Sequence, residues 1–86
     1  MKRFNDLEFN PHPMGSGVQA LIEFENSYGA SVVRTPYTYG GGEGLYELAV
    51  FKDGEIHYDN PIADGDVKGY LTEEDVSNLL AEIQLL

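Results

Sequence analysis

Only the last sixteen residues, LTEEDVSNLLAEIQLL, repeat their apolar positions with the period of a helix; glycine and proline break everything before them into shorter runs. That asymmetry restricts the chain to folds in which one helix lies against a sheet. The helix start is written out in full. Thr72 stands as N-cap, Asp75 holds the capping-box position, and Leu71 and Val76 are spaced for a hydrophobic staple. Glu73 and Glu74 fall in the first turn, where unpaired N–H groups favour negative charge. Val76, Leu79, Leu80 and Ile83 follow at i, i+3, i+4 and i+7 as one apolar stripe, from which Leu85 points away.

The preceding segments alternate with the period of strands. VQALIEF (18–24) sets Val18, Ala20, Ile22 and Phe24 on one face and Gln19, Leu21 and Glu23 on the other. ENSYG (25–29) supplies a tight turn, and the β-branched ASVVR (30–34) returns as its hairpin partner. LYELAVFK (45–52) is apolar on both faces except at Glu47 and Lys52, which marks it as the central strand. Asp53 and Gly54 then turn the chain into EIHY (55–58). LEF (7–9) reads as a short first strand ended by Pro11 and Pro13, and DNPIADGDVKG (59–69) as a loop. The expected fold is α+β, an antiparallel sheet of four to five strands with one C-terminal helix packed on one face.

At 86 residues the chain is expected to form a single domain over 1–86, since a chain of this size buries only about 60% of its unfolded surface and has no material for a second core. Cysteine is absent, which excludes disulfides, thiolate metal sites and thiol nucleophiles and makes a reducing cytoplasm the expected compartment. No apolar core follows the two bases of MKRFNDLEFN, and no window approaches the roughly 18 apolar residues of a membrane span. The expectation is a soluble protein without a signal peptide or membrane contact.

Fifteen acids against five bases give a net charge of −10, which opposes nucleic-acid binding, where Lys and Arg must replace condensed counterions. The charge is uneven. Residues 1–50 hold six acids and three bases, net −3, and residues 51–86 hold nine and two, net −7. Such a field keeps a protein in solution, and it also steers basic partners toward it.

Residues 35–46, TPYTYGGGEGLY, place tyrosines around a run of glycines. A phosphate cradle must open a helix, whereas this run opens a strand, lacks a following Lys and carries Glu43 in its middle. Two readings remain: a mobile connection between strands, or a recognition loop in which rigid amphipathic rings make the contacts. On the second reading the candidate binding residues are Tyr37, Tyr39, Glu43 and Tyr46, joined by the acids Asp64 and Asp66 of the C-terminal half. Tyr46 and Tyr58 also occupy strand positions, where an aromatic ring more often packs than binds.

The acidic stretch fits a calcium loop poorly. Asn60 and Asp64 align with ligand positions, but Ile62 cannot ligate, and a strand instead of a helix precedes it. No metal site and no cofactor are expected. His12 and His57 lie on separate elements, and Glu73 and Glu74 are adjacent on a helix and do not face one another, so no catalytic residue is expected either.

The segments GLYELAV (44–50) and YDNPIADGDVKGYLTEEDV (58–76) resemble those of small uncharacterised proteins encoded by bacteriophages and prophages. Proteins of this kind with a known role often bind and block a host protein, as anti-CRISPR and other anti-defence inhibitors do. The resemblance implies a stoichiometric binder of a host protein, acting in the host cytoplasm; charge adds a basic surface on that partner. It contains no catalytic motif and transfers no residue roles. Two other expectations follow from the residues: a homodimer that buries the second apolar face of LYELAVF, and, last, a small-molecule site lined by Tyr37, Tyr39 and Tyr46.

Overall fold

The computed structural model describes residues 1–57, 62 and 67–86. Its strands are β1 (Asn10–Pro11), β2 (Val18–Glu23), β3 (Tyr28–Arg34), β4 (Tyr46–Lys52), β5 (Glu55–Ile56) and β6 (Val67–Leu71), and one helix, α1 (Glu73–Gln84), follows. All pairings are antiparallel. The order runs β1-β2-β3-β4, with β5 and β6 both on the far edge of β4, so LYELAVF is the central strand as expected. The fold is α+β, with six strand segments among the described residues where four or five were anticipated, two of them only two residues long.

Period-two alternation decides which side of the sheet the helix covers. Ala30, Val32, Leu48 and Val50 are fully buried on one face, clustered with Val76, Leu80 and Ile83 of α1, and Ala20 is buried beside Val32 on the same face. Register places Leu21 beside Ser31 and Ala49, and Phe51 beside Ile56, on the opposite face, which α1 does not cover. There Leu21 remains 66% exposed.

The turn at Asp53 and Gly54 has both residues at positive φ (53° and 84°) and joins Lys52 directly to Glu55, the geometry of a two-residue hairpin loop. Two expectations are corrected. LEF is not a strand: it leaves a 3-10 turn, Phe4–Asp6, in which Phe4 N donates to Ser77 Oγ at 2.9 Å and Asp6 N to the Arg3 carbonyl; Leu7 N donates back to the Phe4 carbonyl, and Phe4, Leu7 and Phe9 pack against the core. The loop reading of 59–69 also ran too far. Val67, Lys68 and Gly69 belong to β6, whose alternation is broken by a bulge: Lys68 opposes Leu48, yet Leu71 opposes Tyr46, so two β6 residues face one on β4.

The helix is held along its length. Asn26 in the β2–β3 turn donates from Nδ2 to the Ile83 carbonyl at 2.9 Å, Gln84 exchanges hydrogen bonds with the Lys2 backbone, and the start carries its full capping box. Asp75 N donates to Thr72 Oγ1 at 3.1 Å, and Thr72 N to Asp75 Oδ2 at 3.0 Å. The Thr72 backbone hydrogen bond, then its side chain, holds the Asp75 carboxyl below the ordinary aspartate range. Thr72→Ala is therefore expected to cost roughly 0.5–2 kcal/mol in urea melts. Because the folded pKa is lowered, the Asp75 contribution is complete above the ordinary aspartate range and is lost as pH falls through the folded value. Asp75→Asn should accordingly cost stability at pH 7 and converge on wild type in strong acid; a pH-independent difference would remove the charge from the explanation.

Candidate protein-interaction loop

Residues 35–45 form a folded unit. Thr35, only 7% exposed, anchors it: its N–H donates to Thr38 Oγ1 at 3.0 Å, its hydroxyl accepts from Tyr37 N at 3.1 Å, and its carbonyl accepts from Thr38 Oγ1. A 3-10 turn, Gly41–Glu43, follows between Gly40 and Gly44, both left-handed at φ 85° and 79°. Leu45 N closes it onto the Gly40 carbonyl at 2.9 Å. The glycines thus serve a compact turn with two positive-φ hinges.

The unit is fastened to β4 and β6. Tyr39 N donates to Glu47 Oε2 at 2.8 Å, and Tyr70 N donates to the Tyr39 carbonyl at 3.2 Å. Gly69 gives it a seat, since a Cβ there would overlap the Tyr39 Cβ. Gly40 is also tightly seated, its absent Cβ lying 2.9 Å from Tyr70 Cα. The β6 bulge sets Tyr70 at φ 57°, a conformation a tyrosine rarely adopts and that costs on the order of 1–3 kcal/mol. Its ring lies near-parallel to that of Tyr39, with centroids 6.4 Å apart and planes 26° apart. Both rings are open to solvent, and so is Tyr37, two residues before Tyr39 in the same loop and 91% exposed.

Of the residues proposed from sequence, Tyr39 stands on this surface, Tyr37 is exposed in the same loop, and Glu43 is exposed on the 3-10 turn. Tyr46 does not join them. It shares the helix-covered face with Leu48 and Val50, 7% exposed, edge-on to Phe4 at 5.2 Å and against Phe9 at 5.6 Å. Its hydroxyl accepts from Arg34 Nη1 at 3.3 Å, and that guanidinium lies 5.0 Å from its ring centroid. Tyr46 is a core residue, so Tyr37, Tyr39 and Tyr46 do not line one pocket. Asp64, Asp66 and Tyr58 lie outside the described residues.

Two members of the site were not singled out from sequence: Tyr70 and Glu47. Glu47 carried a signal as the one carboxylate in an otherwise apolar strand; Tyr70 had only its place after Gly69. Two depressions among the described residues lie away from the loop. One of about 750 Å³ runs between the N-terminal segment and the β2–β3 turn, lined in part by Lys2, Asp6, Glu23 and Glu25, and one of about 250 Å³ lies on the uncovered sheet face beside Leu21 and Phe51. No helix among the described residues is long and apolar enough to cross a membrane. Fold and loop together define an α+β domain that presents ordered, solvent-facing tyrosines. No family model, curated protein or solved structure matches the chain.

Proposed function

We propose that the protein is a non-catalytic binding module that engages another protein through Tyr37, Tyr39 and Tyr70, with its acidic surface directed at basic groups on the partner. The observation that carries this reading is Tyr70. An exposed aromatic ring is held beside a second one by a backbone conformation that costs stability and is over-determined by Gly69, Gly40 and the Tyr39 carbonyl. Strain kept for a solvent-facing side chain is stability given up for a contact. The resemblance to small phage and prophage proteins makes a host protein in the bacterial cytoplasm the partner we propose, bound stoichiometrically as anti-defence inhibitors bind theirs.

The test is capture from bacterial lysate on wild type and on Tyr70→Gly. Glycine relieves the positive φ, so the variant should melt at or near the wild-type temperature while losing the retained partner. A partner held equally by both would disconnect the tyrosines from binding. The uncovered sheet face supports a second reading, self-association through Leu21, Phe51 and Ile56. Pairing that face with its own copy would bring the carboxylates of Glu23 and Glu47 toward those of the second chain, so light scattering is expected to return a monomer.

A further inference from the structure

Resting on the reading of the tyrosine loop as a contact surface, we propose that Tyr39, Tyr70 and Glu47 receive one arginine side chain of the partner. The two rings are 62% and 60% exposed, near-parallel, and spaced toward the wide end of the range for a direct aromatic pair, about 4.5–7 Å. A guanidinium is planar and weakly hydrated and stacks on tyrosine within about 6 Å of the ring centroid. Glu47 supplies the opposite charge in a fixed position. Its Oε2 is occupied by Tyr39 N, which holds the side chain within one residue of the ring and leaves Oε1 as an acceptor. Because that carboxylate is already ordered, an incoming fork donor does not bear the entropy of arranging it.

Charge across the loop fits the same ligand. Residues 35–47 contain Glu43 and Glu47 and no base. Arg34 turns to the other face and is engaged by Tyr46. Lys68, the base nearest Tyr70 in sequence, pairs with Leu48 on the helix-covered face, where its charge helps lower the Asp75 pKa. An approaching guanidinium therefore meets two rings and a held carboxylate. Lysine fits less well, because its ammonium is compact, strongly hydrated and unable to stack.

The probes are acetyl-Gly-Arg-Gly-amide and its lysine and citrulline counterparts, titrated at millimolar concentration and low salt while backbone amide and tyrosine ring resonances are followed by NMR. The arginine peptide should give saturable shifts at Tyr39, Tyr70 and Glu47. The lysine peptide should bind more weakly, and the neutral isostere citrulline should leave those resonances in place. Glu47→Gln keeps an oxygen for Tyr39 N and removes the charge, so it should weaken the arginine peptide about fivefold, the size of an exposed ion pair. Equal responses to arginine and citrulline, or to arginine and lysine, would overturn the assignment, as would shifts confined to other acidic residues. If Tyr70→Gly loses the captured partner while wild type ignores the arginine peptide, the arginine assignment fails and the contact surface stands. If the partner is retained by Tyr70→Gly, the contact surface itself fails.

Discussion

Replacing Leu48 by alanine is expected to lower stability by roughly 2–5 kcal/mol, a large part of the roughly 5–15 kcal/mol that holds a typical domain together. Leu48 sits at the centre of the molecule by construction. Its strand is paired along both edges, Val32 lies across from it on one side and Lys68 on the other, and its side chain is fully buried in the cluster shared with Leu80 and Ile83 of α1. Deleting its terminal carbons loses their transfer free energy, and a pocket walled by strands on both sides has little room to collapse. Leu21→Ala provides the contrast. Leu21 projects from the uncovered face, and its loss should stay within about 0.5 kcal/mol. Urea midpoints at constant slope measure both. Similar costs would mean that the second face is also buried, as the self-associated form requires.

Gly41→Ala is expected to dislodge the tyrosine loop, at a cost of about 1–3 kcal/mol, whereas Gly42→Ala one residue away should be tolerated. A Cβ at Gly41 would sit on the Thr35 carbonyl oxygen and 2.6 Å from Thr38 Oγ1, two of the groups whose hydrogen bonds close the first turn of the loop. Backbone there cannot step aside without releasing Thr35, which is buried. At Gly42 a Cβ meets nothing within 4 Å, and the backbone is not left-handed. Removing a glycine from such a position stabilises by up to about 1 kcal/mol through the unfolded chain. Melting curves and the amide spectrum of residues 35–47 report the difference; equal behaviour of the two variants would mean that the glycines only loosen a connection.

Much of this architecture was legible in the residues. The capping pair of Thr72 and Asp75, the stripe from Val76 to Ile83, the β2–β3 hairpin and the Asp53 turn are set by local chemistry and period, and they appear where the sequence places them. What escaped depends on contacts between distant segments. Tyr46 alternates in step with Leu48 and Val50, but a strand apolar on both sides does not reveal which face a helix will cover. β6 escaped because its bulge puts Lys68 and Leu71 out of phase, which erases the alternation that would mark a strand. The same bulge brings Tyr70 to Tyr39 across 31 residues of sequence, and no local pattern encodes that meeting.

Surface plasmon resonance on the captured partner, comparing wild type with Tyr39→Ala and Tyr70→Gly, decides whether the tyrosine loop is the binding surface. Aromatic anchors of this kind typically contribute about 2 kcal/mol or more, so each variant should dissociate on the order of thirtyfold faster. Association should change little with the tyrosines and should instead slow steeply as salt rises, since the Debye length falls from about 10 Å at 0.1 M to about 3 Å at 1 M. Off-rates unchanged in both variants would contradict the assignment and return residues 35–46 to a structural turn.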